Sequence, residues 1–221
     1  MEEKEKENNL DNKYQFNKKE IYVILWVMAG LFALLFIGVA FFRSINSFEY
    51  EGLTFTKERF GEIPVFHYYY YINNPITGKA VAKYNLYLRN DPRENNVPIE
   101  GEIKFLTPER YTYISINGTG LTECPQSSLA IGNLAAFLTN NQLSVKGASA
   151  EPDVAERDKT LYINCDNTKD RVVILFQSGN ETKIEKEGDM CHIVTVSNCE
   201  ILKAVEKFEL QSLLDARKQI K

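Results

Sequence analysis

Residues 21–42 form the longest apolar run of the chain, 22 positions without a single Asp, Glu, Lys, Arg, Asn, Gln or His. At about 1.5 Å of rise per residue, a helix of that length covers roughly 33 Å, enough to cross the hydrocarbon core of a bilayer. Inside lipid the backbone must satisfy its own hydrogen bonds, which selects a helix. Tyr22 and Trp26 near one end, and Phe41 and Phe42 at the other, suit the two interfaces. A buried helix of a soluble core would carry a polar stripe, and this run carries none. A transmembrane helix over 21–43 is therefore expected. A cleaved signal peptide is a weaker reading, because Gly38 and Ala40 supply small residues but the run exceeds the about 7 to 15 apolar residues of such signals. A pilin-like export signal has Lys18 and Lys19 in its favour, but lacks the small residue at the cut and the acid within the helix.

Beyond the apolar run the pattern shortens and alternates. Residues 50–55, 63–72 and 81–88 read as strands, with Asn73, Asn74, Pro75 and Gly78 marking a turn between the last two. In Phe66-His67-Tyr68-Tyr69-Tyr70-Tyr71, period-two alternation puts Phe66, Tyr68 and Tyr70 on one face and His67, Tyr69 and Tyr71 on the other. Such a strand is aromatic on both sides. Either the second face is also covered, by a loop or helix, or Tyr69 and Tyr71 form an open aromatic platform for a sugar or an extended peptide.

The pattern changes again near residue 110. Residues 111–116 read as a strand, 125–139 as a helix with Pro125 in its first position, and 143–147 as a strand, together one β-α-β crossover. A polar stretch, 148–159, reads as a surface loop. Strands follow over 161–165, 171–177, 182–185 and 192–197, the second of them apolar on both faces and so expected at the centre of a sheet. A helix from about 200 to 218 closes the chain, with Ile201, Leu202, Val205, Phe208, Leu213 and Leu214 as its apolar stripe. The expected fold class is α+β: one N-terminal transmembrane helix followed by a mixed, mostly antiparallel sheet with two main helices. Its divisions are a disordered cytoplasmic tail over 1–20, the span over 21–43, and an extracytoplasmic domain over 44–221. That domain has a β-rich part at 48–108 and a β-α-β-β-β-β-α part at 109–221.

Charge supplies the orientation. Lys4, Lys6, Lys13, Lys18 and Lys19 precede the span, whereas Arg43, Lys57 and Arg59 are the basic residues just after it, so the short tail is expected inside. The whole chain carries 26 Lys and Arg against 30 Asp and Glu, a net charge of −4, and offers no basic field for nucleic acid. The tail itself is rich in Glu, Lys and Asn and has too little apolar surface to fold alone.

All four cysteines, Cys124, Cys165, Cys191 and Cys199, follow the span, and an even number on the outer side indicates disulfides. Cys191 and Cys199 are about 26 Å apart if the strand between them is extended, so they do not pair with each other. Cys165 ends one expected strand and Cys191 begins another, while Cys124 and Cys199 both precede helices. The expected pairs are Cys165 with Cys191 and Cys124 with Cys199. A redox reading uses Cys124 or Cys199 as a reactive thiol, since Cys124-Pro125 stands at a helix N-terminus, although no Cys-x-x-Cys accompanies it. Cys191-His192 makes a poor metal pair, because neighbouring strand residues point to opposite faces. No metal site and no cofactor are expected.

Asn117-Gly118-Thr119 and Asn180-Glu181-Thr182 fit the N-glycosylation pattern at Asn117 and Asn180. Around the Asn90-Asp91-Pro92 turn, Arg89 and Arg93 either fork onto an anionic group of a partner or pair locally. Phosphate loops, nucleophile elbows and zinc-protease motifs are absent, and with His67 and His192 the only histidines, a Ser/His hydrolase has no arrangement to build on. Paired acids acting on a glycan are left without positive evidence.

Tyr87-Leu88-Arg89-Asn90-Asp91-Pro92-Arg93, Gln177-Ser178-Gly179-Asn180-Glu181-Thr182 and the closing segment from Cys199 to Phe208 resemble a group of uncharacterised single-span proteins of small-genome archaea. The resemblance covers most of the outer domain and implies an archaeal cell envelope as the setting, but no activity. The function expected is a membrane-anchored extracytoplasmic binding or scaffold module without catalysis, held in the lipid bilayer through 21–43, with other envelope proteins or surface glycans as partners. An envelope thiol–disulfide oxidoreductase and a glycan-binding or glycan-cleaving surface domain are the alternatives.

Overall fold

The computed structural model of the chain describes residues 18–74, 77–104, 111–167 and 171–219. Most of the expected tail, part of the turn after residue 73 and the expected internal boundary at 108/109 lie outside the described residues. The chain divides into one unit ending at Phe48 and another over Glu49–Lys221. The first contains a continuous helix, α1 (Lys18–Asn46), a few residues longer at each end than the apolar run that predicts it. It is long and apolar enough to cross a membrane, and its large apolar side chains from Ile21 to Ile45 are exposed.

The second unit is α+β, as expected, but its strands form two sheets rather than one. Four strands, β1 (Ser47–Tyr50), β2 (Leu53–Phe60), β3 (Ile63–Asn73) and β4 (Ala80–Leu88), lie in that order, with β2/β3 and β3/β4 antiparallel. The single strand expected over 50–55 is split by a reversal at Glu51-Gly52, whose φ values of +50° and +74° break the extended run. A bulge between Ile72 and Asn73 ends the long β3/β4 ribbon, and Asn74 closes the turn by accepting from the Gly78 N–H at 2.9 Å.

The remaining elements are β5 (Ile99–Glu100), β6 (Tyr111–Ile116), α2 (Ser127–Asn140), β7 (Ser144–Ser149), α3 (Pro152–Arg157), β8 (Leu161–Tyr162), β9 (Val172–Ser178), β10 (Lys183–Glu187), β11 (Cys191–Val196) and α4 (Ile201–Gln219). Their strands make a seven-stranded sheet ordered β5-β10-β11-β9-β6-β7-β8. β9, apolar on both faces, is the middle strand, as its composition requires. Only β10/β11 is antiparallel; the other five pairings are parallel. The antiparallel bias expected from the sequence thus holds in the small sheet and gives way in the large one, where α2 and α3 return the chain in the same direction for β6/β7 and β7/β8. The polar stretch after β7 contains the short helix α3, begun by Pro152 at its first turn with Asp153 beside it. Pro125 lies in the turn before α2 rather than in its first position.

Helix α4 is covered from both sides. Its Phe208 ring meets His192 of β11 edge-on at 5.7 Å, on the large-sheet side. Its Glu206 carboxylate accepts from the backbone N–H of Arg89 (2.6 Å) and Asn90 (3.0 Å), where β4 of the small sheet ends. Helix α2 is likewise held to the small sheet: the Tyr70 hydroxyl donates to Asn141 just past its C-terminus at 2.9 Å, and Tyr84 meets Phe137 edge-on. The two helices therefore form a layer between the sheets, and the single apolar stripe predicted for α4 understates its burial. Leu213 and Leu214 are only half-buried, whereas Glu206, Glu209, Leu210, Ser212 and Asp215 are buried.

Both disulfides form, between Cys124 and Cys199 and between Cys165 and Cys191, with Cα separations of 5.2 and 5.5 Å. The reasoning for the first pair holds, since each of its cysteines precedes a helix and α2 packs on α4. The second pair has a different cause from the one the sequence suggests, for β8 and β11 are not neighbours. Instead the chain after β8 doubles back over the sheet: the Ile163 carbonyl accepts from Ser115 of β6, and Cys165 and Ile163 join Val173, Leu175, Cys191 and Ile193 in an apolar cluster.

Candidate functional site

The small sheet turns two different faces outward and inward. On the inner face, Phe55 and Tyr68 have ring centroids 5.5 Å apart, and Tyr68, Tyr70 and Tyr84 continue the layer toward Phe137. Burial pushes the Tyr70 and Tyr84 hydroxyls up, that of Tyr84 to about 12, with the nearby Glu209 adding to the effect in both.

The outer face follows from the register. Thr56 pairs with His67, Glu58 with Val65 and Phe60 with Ile63; on the other side His67 pairs with Tyr87, Tyr69 with Asn85 and Tyr71 with Lys83. Successive rings then meet in one row. Phe60 touches Tyr87 edge-on at 5.0 Å, Tyr87 stacks on His67 at 4.5 Å, His67 lies 6.2 Å from Tyr69, and Tyr69 meets Tyr71 edge-on at 6.1 Å. The row is open: Phe60 is 55 % exposed, Tyr87 39 %, Tyr69 49 % and Tyr71 59 %. Among the described residues no helix or loop covers Tyr69 and Tyr71, the cover being one of the two readings of the sequence.

Polar groups are interleaved with the rings. His67 is fixed through both nitrogens, Nδ1 being 2.7 Å from Glu58 Oε1 and Nε2 3.1 Å from Asn85 Oδ1. The Lys83 ammonium lies 3.9 Å from the centre of the Tyr69 ring, a cation–π contact that orients it. The face thus combines apolar ring surface, hydroxyls, a carboxylate, an amide and a cation over a strand about 27 Å long from Ile63 to Tyr71. Of these residues, the sequence pointed to Tyr69 and Tyr71. Phe60, Tyr87, Glu58, Asn85 and Lys83 were missed: a hairpin closed symmetrically on 73–78 would set Tyr84 opposite His67, and the observed pairing with Tyr87 follows from the irregular register after Ile72.

The other singled-out residues are scattered. Arg93 forks onto Asp91 through Nε (2.9 Å) and Nη2, the local pairing that the turn offers, while Arg89 is exposed and lends its backbone N–H to Glu206. Asn180 is exposed in the β9–β10 connection, and Asn117 is half-buried at the end of β6, where its side-chain oxygen accepts from the Thr119 N–H. His192 faces Phe208 while Cys191 faces the opposite side of the sheet, so they do not converge. No protein-family model, no curated protein and no solved structure matches this chain.

Proposed function

We propose that this protein is a single-pass membrane-anchored binding module of a cell envelope, amino terminus in the cytoplasm and body outside, which holds a surface glycan on the outer face of its small sheet. The apolar helix over Lys18–Asn46 and the two disulfides support an anchored, extracytoplasmic body. The charge asymmetry across the helix supports the orientation, and the resemblance to archaeal single-span proteins supports the setting.

The observation that carries the binding reading is the exposed row Phe60–Tyr87–His67–Tyr69–Tyr71. Open aromatic rows on a solvated sheet are unusual, and in a soluble body they mark contact surfaces. A sugar polymer offers alternating C–H faces and hydroxyls. Ring faces stack on the former, and Glu58, Asn85 and the tyrosine hydroxyls meet the latter, with His67 holding Glu58 and Asn85 in place.

Binding of the full-length protein in nanodiscs to immobilised envelope polysaccharide tests the idea. Tyr69→Ala and Tyr71→Ala should each weaken retention about tenfold or more, on the scale of a contact residue of 1.4 kcal/mol or above. Retention unchanged in the double variant, or retention of envelope proteins in place of glycan, would defeat it. In intact cells a membrane-impermeant amine reagent should label Lys57 and Lys83 and spare Lys4, Lys6 and Lys13.

A further inference from the structure

The row of rings on the small sheet differs in charge from one end to the other. Lys57, Arg59 and Lys83 are the Lys and Arg residues of β2, β3 and β4. Lys57 and Arg59 pair with Phe66 and Pro64 and so belong to the register of the opposite face, whereas Lys83 pairs with Tyr71. Lys83 is thus the strand cation of the outer face. The acid of that face, Glu58, pairs with Val65 further along β3, where its Oε1 accepts from the Thr56 hydroxyl at 3.1 Å and lies 2.7 Å from His67 Nδ1. Lys83 is exposed, and among the described residues it forms no ion pair. What it touches is the Tyr69 ring, with the ammonium 3.9 Å from the centre.

That position decides which sugars suit this end of the row. Tyr69 has His67 and Tyr71 on its flanks and the Lys83 ammonium over its ring. An uncharged sugar stacking there through its C–H face has to displace the cation and forfeit the cation–π contact. An anionic sugar displaces nothing. Its negative group meets the ammonium from the solvent side while the cation stays over the ring, and a charge-assisted hydrogen bond of this kind is stronger than one between neutral groups. Tyr71, the most exposed ring of the row and directly across the ribbon from Lys83, then takes the C–H face of the same sugar. At the far end Phe60 meets Tyr87 edge-on, with Glu58 on the same strand, a setting that repels a second negative charge. The chain as a whole carries a net charge of −4, so a polyanion gains no long-range attraction and its retention reports local contact.

On the reading of this face as a glycan site, we propose that the glycan is acidic and that the Lys83 end of the row receives a uronate. The carboxylate of that sugar accepts from the Lys83 ammonium, its ring packs on Tyr71, and uncharged sugars of the same polymer lie along His67, Tyr87 and Phe60. Lys83 is then the residue that sets the charge of the ligand, and the rings set its path.

The test passes the full-length protein, in nanodiscs of zwitterionic lipid, over immobilised envelope polysaccharide and over the same polysaccharide after carbodiimide-mediated reduction of its carboxylates to alcohols. At about 0.02 M salt the native polymer should be held about three- to tenfold more tightly than the reduced one, and the difference should shrink by about 0.5 M, where screening shortens the reach of the charge. Lys83→Ala should abolish the preference and raise retention of the reduced polymer by uncovering the Tyr69 ring. Lys83→Arg, which keeps both the charge and the ring contact, should preserve the preference. Equal retention of the two polymers by the parent protein, or a preference that survives Lys83→Ala, would overturn the acidic assignment and leave glycan binding standing. A preference removed by desulfation in place of carboxyl reduction would overturn the uronate. Retention of neither polymer would defeat glycan binding itself, and the acidic assignment with it.

Discussion

At the scale of single residues, the acids of α4 decide how stability depends on pH. Glu209 is buried with no hydrogen-bond partner for Oε1 among the described residues, and burial, followed by the neighbouring Glu206, pushes its pKa from 4.5 up to about 8. His192 is pushed the other way, from 6.5 to about 4, by burial against Phe208, opposed by the Lys104 carbonyl. Between pH 4.5 and 8 the folded state holds a proton on Glu209 that the unfolded state gives up, so this group's contribution is lost as pH rises. Between pH 4 and 6.5 the unfolded state protonates His192 and the folded state does not, so that contribution is lost as pH falls. The two slopes cancel over their overlap, and from these groups stability should be flat from about pH 4.5 to 6.5 and then fall by about 2 kcal/mol toward pH 8. Denaturant titrations across that range should show the decline, and Glu209→Gln should remove it. Burial raises the pKa of Glu206 as well, but its carboxylate, unlike that of Glu209, accepts hydrogen bonds from Arg89 and Asn90, which oppose the shift. Glu206→Ala removes the acceptor of two part-buried backbone N–H groups and should cost about 1 to 3 kcal/mol in the same measurement.

At the scale of elements, β3 joins two functions through one alternation. Its inner positions hold the sheet to the helix layer; on the outer face Val65 is buried and His67 links Glu58 of β2 to Asn85 of β4, while Tyr69 and Tyr71 are exposed. Tyr70→Phe should therefore cost about 1 kcal/mol, by loss of the hydrogen bond to Asn141, whereas Tyr69→Ala and Tyr71→Ala should stay within about 0.5 kcal/mol of the parent in thermal melts. A large loss at Tyr71 would mean that the outer face is structural. The period-two pattern of 66–71 was legible in the sequence because side-chain direction along a strand is a local property. Which face stays open was not, since it depends on α2 and α4, more than 50 residues further on. The same limit explains α4: its apolar stripe is plain in the sequence, but burial of its acids requires knowing that a second sheet covers the opposite side.

At the scale of the whole molecule, the body over Glu49–Lys221 is a layer of two helices between an antiparallel sheet and a largely parallel one, cross-linked twice. The disulfides close loops of 75 and 26 residues, for which chain entropy alone gives stabilisation of about 3 to 5 kcal/mol each. Replacing both members of either pair by Ala should lower unfolding free energy by that amount, read by urea titration of the detergent-solubilised protein. The full chain should also resist extraction from membranes by alkaline carbonate, as an integral span requires.

What the sequence determined by itself are the properties written in short stretches of chain: the membrane-length helix, the strands and helices by their periods, the even cysteine count, and the two-sided aromatic strand. These follow from hydrophobicity and backbone geometry that neighbouring residues impose on one another. The tertiary structure alone decided the parallel order around β9, the crossing segment that brings Cys165 to Cys191, the burial of Glu206 and Glu209, and the exposure of the Phe60-to-Tyr71 row. Each of those depends on which distant elements come to lie side by side, and that is settled by the joint packing of two sheets on one helix layer, a condition no local pattern encodes.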